Sequence, residues 1–323
     1  AQAILAQDVK GWLLQAIMRA AAARLAGASC AFTRFERTRW EAAVQPYDRV
    51  FGQLTQQAAR HLVDAVIKTT GCGTAASDIA APAPGLDCAT GPGYVIEEAL
   101  RRGVPDTGLI GVDFSQAMLQ RARERLPQTS VKWLEADIQE PLPAEYHGRF
   151  AWCTCCFGVL HLARPEAFFA AARQALRPGG VLAFTVWAPL ADSPAFQIPY
   201  RAIEEHGSAE VGLPPGPPFF KYSDPATSIE ALEEAGFERG SVSAEQVSMD
   251  WTFERPDDFW ECFLEGTART GALLEKQEPA ARAKIEAAMR QAVVEAQAAR
   301  PSLSPPPYVL PQPCVLVTGR VPA

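Results

Sequence analysis

The sequence predicts an α/β protein built on a doubly wound, mostly parallel sheet. Three observations point there. From residue 85 to residue 187, short apolar runs alternate with helical segments, the pattern of repeated strand–helix units. The first run leads directly into a glycine-rich turn, Cys88-Ala89-Thr90-Gly91-Pro92-Gly93. The run from Val181 to Trp187 is apolar almost throughout, as expected of a strand covered on both faces.

The elements follow in order. Residues 8–26 and 37–68 read as helices; the second carries Trp40, Ala43, Tyr47, Val50, Leu54 and Ala58 at helical spacing. A Gly, Ala and Pro-rich loop at 71–84 separates this helical arm, residues 1–70, from the domain at 71–323. Strands are expected at Gly85–Cys88, Gly108–Val112, Val131–Glu135, Phe150–Cys156 and Val181–Trp187. Helices are expected at Tyr94–Arg102, at Ser115–Leu126 with Ser115 as N-cap, and at Glu166–Leu176, stopped by Arg177-Pro178-Gly179-Gly180. Two insertions follow. Residues 188–225 read as irregular, Pro-rich and aromatic, a segment too long for a plain connector. Ile229–Ala235 reads as a helix, 239–250 as a strand, the insertion 256–299 as mostly helical, and Cys314–Gly319 as the last strand.

Composition narrows the function. The chain has 323 residues, 48% of them apolar and 21% charged, enough for a full core and typical of globular proteins. The formal charge of −7 is diffuse, which argues against nucleic acid as the main partner. No window supplies the roughly 18 apolar residues of a membrane span. Residues 9–40 carry five Arg and one Lys against the single acid Glu36. That stretch resembles an organellar targeting segment, but it also fits an ordinary amphipathic helix, and a cytoplasmic location is the expectation. Ala1 is no translational start, so the chain is expected to be trimmed or renumbered. Nothing in the sequence indicates the oligomeric state.

The eight cysteines form no disulfide framework. Cys153-Thr154-Cys155-Cys156 has the wrong spacing for a zinc pair and lies on an expected buried strand. With four isolated histidines besides, no metal site is expected.

The glycine turn sits where open α/β sheets bind ligands, beyond the carboxyl end of the first strand. A dinucleotide fits poorly, because position 96 is Ile where the fingerprint wants glycine and Asp87 would repel a pyrophosphate. A P-loop is excluded, since no Gly-Lys-Ser or Gly-Lys-Thr follows the turn. S-adenosylmethionine fits better. Asp87, Asp113 and Asp137 stand at the ends of three successive strands, suited to a cationic nucleoside with ribose hydroxyls and an adenine amine. Phe114 or Met118 can pack on the adenine face.

The strings LDCATGPG, GVDFSQAMLQRARER, EADIQEPLP, RFAWCTCCFGVLHL and ALRPGGVLAFTVW resemble the class I S-adenosylmethionine-dependent methyltransferases, most nearly the small-molecule enzymes of the ubiquinone/menaquinone-biosynthesis type. The resemblance covers about residues 40–190 well and 225–323 loosely. It implies a Rossmann-like, doubly wound, seven-stranded, mostly parallel sheet with helical and aromatic lid insertions. It also implies that Asp87, Ala89, Thr90, Gly91 and Gly93 line the methionine part of the cofactor, and that Asp113 holds the ribose. Phe114 and Met118 would flank the adenine, Asp137 and Ile138 would read its edge, and the Cys155 carbonyl would face the cofactor amine. Two positions depart from the pattern: Ala89 replaces the usual first glycine, and Ala151 replaces a common Asp.

For the acceptor side, His161 after the fourth strand is the candidate base and Tyr47 a candidate orienting group. Arg269 could bind an acidic acceptor, although a solvated side chain is the commoner state of an arginine. The aromatic residues of the insertions either line an acceptor pocket or pack among themselves. The expected activity is methyl transfer to a small, apolar or aromatic molecule. The alternatives are a nicotinamide dehydrogenase, and a subunit that binds the cofactor without turnover.

Overall fold

A computed structural model describes residues 30–70, 84–299 and 307–323. The helix expected at 8–26 and nearly all of the 71–84 loop lie outside the described residues.

Seven strands form the central sheet: β1 (Gly85–Cys88), β2 (Leu109–Asp113), β3 (Lys132–Glu135), β4 (Phe150–Cys156), β5 (Leu176–Trp187), β6 (Ser243–Val247) and β9 (Cys314–Arg320). Their order is β3-β2-β1-β4-β5-β9-β6. The first five strands pair in parallel, and β9 runs antiparallel to both β5 and β6. The chain winds outward from β1 in one direction and from β4 in the other. The loops after those two strands therefore diverge and leave a crevice at the carboxyl edge. Every residue of β1 and β2 is buried, as strands covered on both faces require.

Helices α3 (Tyr94–Arg101), α4 (Gln116–Arg125) and α5 (Pro165–Ala175) make the crossovers. Ser115 caps α4, its hydroxyl accepting from the Met118 amide at 3.1 Å. The end of α5 departs slightly from expectation, because Leu176–Gly180 is already extended and joins β5. A register irregularity in the β4–β5 pairing, between Phe150 and Trp152, accommodates those residues.

The N-terminal arm is helical from residue 30 to residue 70, with one π-helical turn inside it. Helical residues 30–46 (α1) end in a π-helical turn, Tyr47–Phe51, before α2 (Gly52–Thr70). Pro46 has no N–H to donate, and the Gly52 amide reaches back to the Tyr47 carbonyl, which widens the turn. Gly52 has no room for a Cβ, since the Tyr94 ring lies against it. The π turn thus lies directly over the start of α3.

The 188–225 insertion is not irregular throughout. Pro194–His206 forms α6, with Ala195, Phe196, Pro199, Ala202 and Ile203 on its buried side. Two prolines fall within it, Pro194 at its first position and Pro199 inside, while the run Pro214-Pro215-Gly216-Pro217-Pro218 lies beyond its end, so the segment's overall composition masked an apolar stripe of helical spacing. α7 (Pro225–Glu234) follows. The expected 239–250 strand divides into β6 and β7 (Asp250–Phe253), and β7 pairs with β8 (Tyr308–Pro311) in a separate two-stranded sheet. The 256–299 insertion is three helices, α8 (Pro256–Glu265), α9 (Arg269–Glu275) and α10 (Pro279–Ala298). No helix among the described residues is long and apolar enough to cross a membrane.

Candidate active site

The crevice beyond β1 and β4 opens into a cavity of about 1260 Å³, counted with its mouth. One half is built on the ends of β1, β2 and β3. The other lies under the arm and the insertions.

The first half starts at the glycine turn. Ala89 has φ 51° and Gly91 φ 53°, both left-handed. A Cβ on Gly91 would meet nothing within 4 Å, so this backbone faces open space. Ala89 tolerates its strained position because Gly158 faces it. A Cβ there would come within 2.5 Å of the Ala89 Cβ and 2.7 Å of the Cys155 Sγ. Asp87 lies beneath the turn, 1% exposed, and does not line the cavity. It accepts from the Thr90 hydroxyl at 2.6 Å and the Thr154 hydroxyl at 2.8 Å. Burial pushes its carboxyl up to about 7, opposed by those two hydroxyls and reinforced by Asp113.

Asp113 lines the cavity. One of its oxygens accepts from the Gly91 amide at 2.8 Å and the other from the Ser115 amide at 2.9 Å. Burial pushes it up to about 6, against the pull of those amides. Phe114, Met118, Asp137 and Ile138 lie on the same wall. The Ala136 amide donates to the Asp113 carbonyl at 3.0 Å, which ties the ends of β2 and β3 together. Asp137 accepts from the amide and side chain of Gln139 at 3.0 Å.

Of the residues singled out from sequence for the cofactor, Ala89, Thr90, Gly91, Asp113, Phe114, Met118, Asp137 and Ile138 share this wall. Asp87, Gly93 and Cys155 do not reach it. Gly93, in the left-handed region, starts α3 and packs toward Trp133 and Ala122. The Cys155 side chain is buried while Cys156, on the opposite face of β4, lines the cavity; the expected Cys155 contact is through its carbonyl.

The second half contains His161 and Tyr47. His161 sits in a short 3₁₀ turn, and its Nδ1 is 3.0 Å from Glu36 Oε2. Glu36 is 1% exposed and also accepts from the Trp40 indole at 3.2 Å. The Trp40 ring meets His161 edge-on at 4.9 Å, and Phe219 packs at 5.9 Å. The imidazole is therefore held in one orientation at the cavity wall. Sequence reading missed Glu36. Its one signal was being the sole acid of a basic helical stretch, which says nothing about a partner 125 positions away. Tyr47 lines the cavity from the π turn, its hydroxyl 3.0 Å from that of Thr55 and its ring stacked with Phe51 and Tyr94. Burial raises its phenol well above the usual range, so it is a neutral group that can orient a ligand but not remove a proton at neutral pH.

The insertion aromatics divide. Tyr200, Phe219 and Phe263 line the cavity, whereas Trp251, Phe253 and Trp260 are buried in the core of the inserted elements. The arm is fastened over the cavity at several points. Glu41 accepts from the Gln116 and Ala117 amides at 2.8 and 3.0 Å, and Arg39 grips Glu275 at 2.7 and 2.9 Å. Asp48 binds the Tyr94 hydroxyl, Arg121 at 2.6 Å and Arg125 at 2.5 Å. Burial alone would raise the Asp48 carboxyl, but these partners outweigh it and hold it below the usual value.

The donor set suits S-adenosylmethionine. Buried carboxylates surround the glycine turn, and the described lining residues near it include no lysine or arginine to meet a pyrophosphate. Residues 86–180 match the family described as methyltransferase domain. This segment, less than a third of the chain, is thus similar to methyltransferase domains. The chain is 31% identical over 141 residues to the N-methyltransferase FrzE of a Cladobotryum species, covering 37% of this chain and 49% of that one. It is 32% identical over 97 residues to the demethylmenaquinone methyltransferase of Chlamydia pneumoniae, covering 30% and 41%. The chain thus spans about half the length of the curated relatives it matches. Among solved structures, the YcgJ protein of Bacillus subtilis superposes with a TM-score of 0.47 and 15% identity, over 81% of this chain and 99% of that one. The methyltransferase domain match ends at residue 180, so the arm and both insertions, which enclose half of the cavity, lie outside it.

Proposed function

We propose that this chain transfers a methyl group from S-adenosylmethionine to a small, apolar or aromatic metabolite by in-line displacement. One observation carries the reading: a single cavity joins the glycine turn and strand-end acids to an aromatic chamber in which a buried carboxylate aims a histidine. When bound, the cofactor supplies an electrophilic methyl on a sulfonium. The chain's own residues then have distinct tasks. Asp113 would hold the ribose hydroxyls with the acceptor positions its two backbone bonds leave free, and Asp137 and Ile138 would take the adenine edge between Phe114 and Met118. Asp87 would act from below the turn as a negative charge toward the cationic end and through its bond to Thr90. His161 would take the proton of the acceptor's nucleophile at Nε2, while Glu36 fixes Nδ1 and stabilises the resulting imidazolium. Trp187, Phe196 and Phe219 would exclude water and orient the acceptor. The relative named as a demethylmenaquinone methyltransferase supports a place in the quinone-biosynthesis type of small-molecule enzymes.

Incubation with methyl-labelled cofactor and a fractionated metabolite extract tests the reading. A labelled small molecule is expected, with His161→Ala lowering its rate about 10²-fold. Cofactor binding without any labelled product would refute it.

A further inference from the structure

The cavity has one lysine or arginine among its described lining residues, Arg269. It is half-buried rather than free in solvent. Its Nη1 donates to the Pro214 carbonyl at 2.9 Å, and its guanidinium carbon lies 5.9 Å from the centroid of the Phe32 ring. The 188–225 insertion and the arm therefore hold the fork in place. Among the described residues, no carboxylate lies within ion-pair distance of it. Glu275, the acid on the same helix, is occupied by Arg39 through both oxygens.

Such an arginine is partly withdrawn from solvent with no carboxylate partner among the described residues. A guanidinium has five N–H donors in a rigid fork, and the carbonyl of Pro214 uses one. The complement of the remainder is a planar anion, which a guanidinium binds through two parallel hydrogen bonds. The surroundings indicate where that anion belongs. Tyr200, although 39% exposed, lines the same cavity as Arg269. Tyr200 contacts Phe220 at 6.0 Å, Phe220 contacts Phe219 at 5.1 Å, and Phe219 contacts His161 at 5.9 Å. A chain of aromatic contacts thus leads from the histidine to Tyr200, which lines the cavity together with Arg269.

We propose that Arg269 anchors a carboxylate on the acceptor, so that the preferred substrate class is a small aromatic acid whose nucleophile lies at the end facing His161. The proposal rests on the methyl-transfer reading above and narrows its acceptor. The anion is singly charged, since one guanidinium without a second cation matches a carboxylate better than a phosphate.

The test uses the full chain saturated with S-adenosylhomocysteine. Matched pairs of probes, 4-hydroxybenzoate with 4-hydroxybenzamide and 4-hydroxycinnamate with its amide, are titrated by calorimetry at neutral pH. The expected result is at least about a tenfold preference for the carboxylate of a pair. That preference should shrink to within about twofold in Arg269→Gln and return in part in Arg269→Lys. A purely structural clamp on Pro214 would alter both members of a pair equally. No preference in the native protein, or one that survives in Arg269→Gln, would overturn the proposal. So would weakened S-adenosylhomocysteine binding in Arg269→Gln, because the fork would then serve the carboxylate of the cofactor. A native chain that binds no S-adenosylhomocysteine, read in a separate titration, would instead remove the methyl-transfer reading and the proposal with it.

Discussion

Replacing Asp113 with alanine separates two tasks of one carboxylate. In the ligand-free protein its oxygens accept from the Gly91 and Ser115 amides at 2.8 and 2.9 Å, and the side chain is only 4% exposed. An ionised carboxylate has about four acceptor positions, so each oxygen keeps roughly one for a ribose hydroxyl. A hydrogen bond to a charged group is worth roughly 1.5–3 kcal/mol, and a pair at the lower value is about 10²-fold in affinity. Asp113→Ala should therefore weaken S-adenosylhomocysteine binding by about 10²-fold, with tenfold as the floor. The two amides left without an acceptor add a separate cost of about 1–3 kcal/mol each to the ligand-free fold. Asp113→Asn keeps the shape and one acceptor oxygen, but its NH₂ faces an amide N–H, so it should fall between the two on both scales. Calorimetry measures the affinity, and urea denaturation of the ligand-free protein measures the stability. An unchanged dissociation constant in a folded Asp113→Ala protein would show that the ribose lies elsewhere.

Four other outcomes are expected. Burial holds Asp87 at about 7 and Asp113 at about 6, above the ordinary 3.8. Their contribution to stability is complete below that ordinary value and is lost as pH rises through 6 to 7. The ligand-free protein should therefore weaken between about pH 4 and 7, on the order of 4 kcal/mol for Asp87 alone; melting curves that run parallel in native protein and Asp87→Asn would contradict this. Gly158→Ala should cost about 1–3 kcal/mol by driving a methyl into Ala89 and Cys155. Ala89→Gly should offset part of that by relieving the left-handed backbone, so additive losses in the double variant would refute the contact. Glu36→Gln should lower turnover by about 10- to 100-fold at unchanged S-adenosylhomocysteine affinity, and add nothing to His161→Ala; a further loss in the double variant would mean that Glu36 acts outside the pair. No group of three or more His, Cys, Asp or Glu among the described residues could hold a metal ion, and turnover should survive strong chelators; loss restored by zinc or magnesium would overturn that expectation.

The sequence by itself determined what depends on neighbours along the chain. Gly85–Cys88 and Phe150–Cys156 were legible to the residue, because a strand buried on both faces needs an unbroken apolar run. The glycine turn and the acids after β1, β2 and β3 were legible because their roles follow from position at a strand end. Even there, the departures are physical. A π turn after Pro46 interrupts the α-helical spacing of the expected 37–68 helix without breaking it, and the Pro-rich composition of 188–225 hid α6. Tertiary structure alone decided the acceptor half. Glu36 meets His161 across 125 positions, Arg39 takes Glu275 across 236, and Arg269 has no carboxylate within ion-pair distance among the described residues. Periodicity records which face of an element is buried and not what it is buried against. The partners that orient His161 and hold Arg269 exist only once the arm and the insertions have closed over the carboxyl edge of the sheet.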